Sequence, residues 1–128
     1  MKNLSELSPL VMKPVTRLEL IKYAGASGDY NPIHTIDEEA KEAGLKGVIA
    51  HGMLTMAKVS RLISPFLEQG FIKSFSTRFT GMVYVDDVIT ITPELVKVVD
   101  SEYYYQISAV NQKGETVVKS KIIFQLFK

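Results

Sequence analysis

GMLTMAKVSRLISPFL, residues 52–67, is the stretch on which the fold turns. Set on a helix, Met53, Leu54, Met56, Ala57, Val59, Leu62 and Ile63 nearly encircle the axis, and only Lys58 and Arg61 carry charge. A helix this apolar is expected to be buried on most of its sides. Ser64-Pro65 should end or bend it, because proline lacks an N–H and pushes the preceding residue out of the helical region. The rest of the chain must then supply what surrounds it.

After residue 70 the hydrophobic period changes to two, the period of a strand. Phe71, Phe75 and Phe79 fall on one side of a first strand, with Thr77 among them. Ile89, Ile91 and Leu95 mark a second, in which Pro93 points to an edge or a bulge. Tyr103, Tyr105, Ile107 and Ala109 mark a third. YVDD (84–87) joins the first two, and NQKGE (111–115) reads as a hairpin turn into the last. In that last strand Val118, Ser120, Ile122, Phe124 and Leu126 alternate with Lys119, Lys121 and Gln125. An antiparallel sheet has one face to cover, and the apolar helix is the element that can cover it. The expected class is α+β, a sheet curled around a helix.

Upstream, SPLVMKPV (8–15) reads as an edge strand between two prolines. TRLE (16–19) is a capping box: Thr16 accepts from the third helical amide while Glu19 reaches back, opening a helix at about 16–26. Ser27, Gly28, Asp29, Asn31 and Pro32 break that helix into a loop. TIDE (35–38) reads as a second capping box, opening a short helix that runs through Ala43 and stops at Gly44.

At 128 residues the chain is expected to form one domain over 1–128. Its 46% hydrophobic and 23% charged residues suit a globular domain in water. A net charge of +1, with no basic run interleaved with aromatics, gives no footprint for nucleic acid. The absence of cysteine excludes disulfides, zinc–thiolate sites and thiol nucleophiles. The N-terminus lacks the apolar core of a signal peptide, and no run is long enough to cross a bilayer. A cytoplasmic protein without a membrane partner is the expectation.

Both histidines sit in polar, small-residue clusters. SGDYNPIH (27–34) places His34 five residues after Asp29. An imidazole titrates near neutrality and an ionised carboxylate only accepts hydrogen bonds. Together they can hold one water and act as base and acid in a proton transfer. Gly28 lets the backbone turn before Asp29, Pro32 stiffens the loop and Asn31 can bond locally to orient it. Spacing alone leaves a second reading open, in which Asp29 and Asn31 are turn residues and His34 is a loop histidine with its bonds satisfied. Asp29, His34 and the more distant His51 lack the spacing of a metal-ligand set, so no metal is expected. In AHGM (50–53), Gly52 falls at the start of the apolar helix, where free amides and the helix dipole favour negative charge. Gly52 can therefore be an oxyanion site for a thioester enolate. Equally, His51 can cap the helix while Gly52 permits close packing.

YAGASGDYNPIH (23–34) followed by GVIAHGMLTM (47–56) resembles the hydratase motif of (R)-specific enoyl-CoA hydratases and MaoC-like dehydratases. It looks especially like the catalytic subunits of (3R)-hydroxyacyl-ACP dehydratases, and RFTGMVYVDD (78–87) fits the same family. The resemblance implies a single hot-dog domain, a curved antiparallel sheet wrapped around a long central helix. It implies a hydro-lyase that adds water reversibly across trans-2-enoyl thioesters of CoA or ACP to give (3R)-hydroxyacyl thioesters. In that reading Asp29 and His34 activate the water and the Gly52 amide binds the thioester oxygen. Asn31, Ser60 and His51 support the site; for Ser60 an ordinary helix serine remains the alternative. No cofactor is implied. A homodimer is implied, with sheets joined edge to edge, and a heterodimer is the variant. The short segment before Thr16 lacks the Gly-Asp turn often seen in the family. Phe66, Phe71 and Tyr30 can limit acyl length or simply pack in the core. A thioesterase on the same fold and a non-catalytic acyl-thioester-binding subunit are the competing functions.

Overall fold

The computed structural model describes residues 3–128. Strand β1 (Leu10–Val11) is followed by helices α1 (Arg17–Ser27), α2 (Asp37–Glu42) and α3 (Gly52–Val59). The long strands then run β2 (Gly70–Phe79), β3 (Thr90–Val99), β4 (Glu102–Val110) and β5 (Thr116–Leu126). They form one antiparallel sheet in the order β1-β3-β4-β5-β2. β1 and β2 are its two edges, as the bracketing prolines anticipate for β1.

One sheet face makes the core. Ile91 on β3, Tyr105, Ile107 and Ala109 on β4, and Val118, Ile122 and Phe124 on β5 are almost fully buried, against Val59, Leu62, Ile63 and Phe66. Each aliphatic side chain so buried contributes roughly 1.5–3 kcal/mol. The Tyr105 hydroxyl donates to the Leu4 carbonyl at 2.6 Å, tying the N-terminal segment across this core. Burial pushes the Tyr105 phenol well above its ordinary pKa, so it stays a donor.

The central helix is shorter and less covered than its sequence suggests. α3 has eight residues, and two 3₁₀ turns, Ser60–Leu62 and Ser64–Phe66, carry the chain on. Pro65 is the second residue of the second turn, where its missing N–H costs nothing. Only Thr55 and Val59 of α3 are buried, and Met53 is 57% exposed. The sheet covers one side of α3 and leaves an apolar side open.

Three local expectations are corrected. Thr35 and Glu38 do not form a capping box: α2 begins at Asp37, and its cap position, Ile36, makes no side-chain bond. Asp37 instead accepts from Arg17 through Oδ2 at 2.7 Å and from the Val48 amide through Oδ1 at 3.1 Å. Phe71, Phe75 and Phe79 do not share one face, because a register shift between Ile72 and Ser74 turns the strand. Phe71 lies opposite Gln125 on the outer face, 44% exposed, while Phe75 lies opposite Ile122 on the inner one. Thr16 caps α1 as expected, accepting from the Glu19 amide at 3.1 Å, but the Glu19 carboxylate pairs with Lys58 at 2.6 Å on α3.

Candidate active site

The site begins where α1 stops. Gly28 takes the left-handed conformation at φ 76°, which a glycine adopts without strain, and its N–H closes the helix on Ala24. Three side chain-to-amide bonds then fold the loop in steps of two residues. Ser27 accepts from Asp29, Asp29 Oδ1 from Asn31, and Asn31 from Ile33, at 3.1, 3.2 and 3.2 Å. Pro32 opens a 3₁₀ turn, Pro32–His34, that swings the His34 ring inward. Asp29 thus has two distinct oxygens. Oδ1 holds the loop and Oδ2 faces His34 Nε2 at 3.8 Å, beyond a direct hydrogen bond.

The tautomer of His34 follows from its other nitrogen. Nδ1 lies 2.7 Å from the Ile49 carbonyl, which can only accept, so Nδ1 carries the proton. In the neutral ring Nε2 is then an unprotonated acceptor turned toward Asp29. The Ile49 carbonyl is held in turn. Ile49 N–H donates to Ile33, Ala50 N–H donates to Val83, and Asp37 clamps Val48. The Arg17 guanidinium bonded to Asp37, with the Val48 amide, holds that carboxyl below its usual range, so the clamp stays ionised at neutral pH.

His51 stacks on His34, with ring centroids 3.8 Å apart and planes 23° apart, and Tyr23 meets its edge at 4.8 Å. Its Nε2 lies 3.1 Å from the Asp29 carbonyl and therefore donates to it. Its Nδ1 is buried without a partner. Burial, followed by the neighbouring His34, pushes the His51 pKa below the ordinary value, the Asp29 carbonyl opposing this, so the ring is neutral at pH 7. The cap reading of His51 is corrected: it occupies the cap position of α3 but makes no side-chain cap bond.

Gly52 is the first residue of α3, and the first helical bond runs from the Leu54 amide to the His51 carbonyl. The Gly52 and Met53 amides thus precede the helical ladder, and no acid stands in the first turn. Phe79, at the end of β2, packs on Gly52: an added Cβ would meet three ring atoms at 3.1–3.3 Å. The close-packing reading of Gly52 is therefore true, and it leaves the amide free.

Ser60 is not brought to this cluster. Eight residues beyond Gly52, it lies about 12 Å further along at about 1.5 Å per residue, and its hydroxyl donates to the Ala57 carbonyl at 2.6 Å. Of the three residues named as acyl-length limits, Phe66 is core, whereas Tyr30 is 70% exposed and Phe71 faces outward.

Asp29, His34 and His51 offer ligand atoms within 4.8 Å of one another. The set does not suit a metal ion. Ligation needs each imidazole lone pair in its ring plane, about 2.1 Å from the ion. Two rings stacked 3.8 Å apart and 23° from parallel share no such point.

Sequence reading missed Asp37 and Tyr23. Asp37 lies inside the TIDE segment, but the capping-box reading used only Thr35 and Glu38, and the partners of Asp37 lie 20 and 11 residues away. The Ile49 carbonyl, being backbone, leaves no trace in residue type.

With this geometry in view, comparison with known proteins places the chain. Residues 7–119 match the family described as "MaoC like domain". The β subunit of fatty acid synthase from Aspergillus oryzae is 47% identical over 73 residues, 54% of this chain and 4% of that protein. The chain thus spans a small part of that relative's length. A chain in the crystal structure of the ChsH1-ChsH2 complex from Mycobacterium tuberculosis superposes with a TM-score of 0.86 at 19% identity, covering 99% of this chain and 100% of that one. The (R)-hydratase from A. caviae involved in PHA biosynthesis gives 0.81 at 22% identity, with 98% of both chains covered. At these identities the two structures speak for the fold, the hot-dog arrangement expected above.

Proposed function

The chain belongs to the MaoC-like hydratase/dehydratase family, and from that premise we propose that it reversibly hydrates trans-2-enoyl thioesters to (3R)-hydroxyacyl thioesters. One observation carries the reading: the fixed His34 tautomer sets an unprotonated Nε2 3.8 Å from Asp29 Oδ2. Two acceptors at that separation suit a bridging water, which donates one hydrogen to each and turns its lone pairs outward, toward C3 of the substrate. As the C3–O bond forms, one of the pair takes a proton and the C2–C3 π electrons move onto the thioester oxygen. The Gly52 amide meets that developing charge from the end of α3. Return of a proton to C2 from the same pair completes a syn addition, and dehydration reverses each step. Asn31 and His51 are positioning residues: Asn31 fixes the turn that carries His34, and His51 holds the Asp29 carbonyl and backs the His34 ring.

The assembly we propose is a dimer, of this chain or with a related one. β2 has a free edge, a row of backbone groups that the sheet of a second chain would pair. Among the described residues no helix is long and apolar enough to cross a membrane, and a cytoplasmic site of action is part of the proposal.

The test is the ultraviolet absorbance of crotonyl-CoA with the purified protein, Asp29→Asn beside it. Loss of the conjugated enoyl band with the thioester intact, and none with the variant, is the expected result. Release of free thiol would point to a thioesterase. Binding without conversion, alone or with candidate partners, would point to a non-catalytic subunit.

A further inference from the structure

The outer face of the sheet carries its charges unevenly. At one end every cation has a partner: Lys73 pairs with Glu102, and Lys97 lies 4.6 Å over the ring of Tyr104. At the other end the strand register lines up two rows. One is Arg78–Lys119–Ser108–Thr92 and the next is Ser76–Lys121–Gln106–Glu94. Arg78 and Lys119 therefore stand directly opposite one another, about 5 Å apart at Cβ, and Lys121 follows two residues on. Like charges directly opposite in a sheet are destabilising. Among the described residues none of the three cations has a salt-bridge partner, and Glu94, the one acid in these rows, lies two strands from Lys121. All three side chains are exposed.

Position gives the patch a use. Arg78 points outward from β2, and the next residue, Phe79, points inward and packs on Gly52. The cations thus stand on the reverse of the strand end that walls the proposed oxyanion site. Phe79 and Met82, 49% and 52% exposed, line the way round this end of the strand. The patch spans four strands, about 14 Å at the usual spacing. Its rows hold charged, hydroxyl and amide side chains and no aromatic on which an adenine could stack. A broad polar surface with three free cations fits a folded acidic partner better than a nucleotide.

Building on the proposed hydratase reading, we propose that Arg78, Lys119 and Lys121 form the docking surface for an acidic carrier protein. The carrier bears the acyl thioester and delivers it on a flexible arm around the Phe79 end of β2.

The test compares one acyl group on three thiols: crotonyl-loaded acyl carrier protein, crotonyl-CoA and the uncharged crotonyl-N-acetylcysteamine. In the double variant Lys119→Glu/Lys121→Glu, kcat/KM for the carrier substrate should fall at least tenfold. Turnover of the N-acetylcysteamine thioester should stay within about twofold, and the melting temperature should not drop, because repulsion has been relieved. Rising salt should slow the wild type on the carrier substrate and leave the variant nearly unaffected, as steering by exposed charge requires. An unchanged carrier rate overturns the docking surface, as does a wild type that hydrates crotonyl-CoA but ignores the carrier. Equal losses on carrier and CoA substrates would assign the patch to nucleotide phosphates and also overturn it. A wild type inactive on all three thioesters would overturn the hydratase reading itself, and this proposal with it.

Discussion

The two histidine-bearing segments meet in a stack 3.8 Å apart, yet they are wired in opposite senses. In the 29–34 loop, His34 spends its Nδ1 proton on a carbonyl of the 48–50 segment and keeps Nε2 free beside a half-exposed carboxylate. In the 48–52 segment, His51 spends its Nε2 proton on a carbonyl of the loop and keeps Nδ1 buried and unpartnered. Each segment thus donates to the other's backbone. Only one of them leaves a reactive nitrogen next to an acceptor that water can reach. Identical side chains acquire different tasks from the nitrogen each has committed.

The largest expected effects come from the loop. Asp29→Asn and His34→Ala should each lower kcat by about 10²–10⁴, the usual contribution of a positioned acid or base. Asp29→Asn should melt near wild type, since Asp29 Oδ2 carries no structural bond, whereas His34→Ala, which removes a buried ring bonded to Ile49 and stacked on His51, should keep its far-ultraviolet circular dichroism and melt lower. Should both variants keep substantial turnover, the asymmetry between the two segments would have no catalytic meaning.

Gly52→Ala comes next and tests the second segment. The added Cβ falls 3.1–3.3 Å from the Phe79 ring, so the ring must yield by a few tenths of an ångström or the helix end must shift. A ring at a half-exposed strand end can move, so the fold should survive. A loss of about tenfold in kcat/KM is expected, below the 10²–10³ typical of deleting an oxyanion donor outright. Phe79→Leu in the same chain should recover part of it. Recovery measured as a double-variant cycle would show that contact with Phe79, and not helix propensity, caused the loss.

How much of this was legible beforehand differs between the segments for a physical reason. Asp29, Asn31 and Pro32 shape the loop through their own side chains, so residue types alone point to a built turn. Gly52 at a helix start is legible in the same way. The Ile49 carbonyl, which sets the His34 tautomer, is a backbone group that any residue would supply. Ile72 and Ser74 show the same limit in the sheet: one shifted register step moves Phe71 to the outer face, although its spacing to Phe75 is even. The open side of α3 is a third case. Apolar residues on nearly every side report that Met53 and Ala57 want cover, not whether this chain supplies it. Asp37 was given no role, because Arg17 and Val48 lie beyond any local window.

The smallest effects belong to His51, and two replacements separate its roles. His51→Phe keeps a ring against His34 and removes the donor to the Asp29 carbonyl; His51→Gln keeps a donor and removes the ring. Loss of the donor loosens the loop that carries Asp29, so the Phe variant should lose several-fold in kcat with little change in KM. If only Gln impairs turnover, the stack matters and the carbonyl bond does not. Both variants should also change the response to acid. The folded chain resists protonating the buried His51, whereas the unfolded chain protonates it near the ordinary value of 6.5. The unfolded state therefore binds the extra proton, and stability is complete above about pH 6.5 and erodes as pH falls below it. Denaturant unfolding of the wild type should show that erosion on top of the slope from the rest of the chain. Either variant should flatten it, while Asp29→Asn, which leaves the His34–His51 stack in place, should retain it. If neither His51 variant flattens the curve, the buried ring is not the source of the erosion.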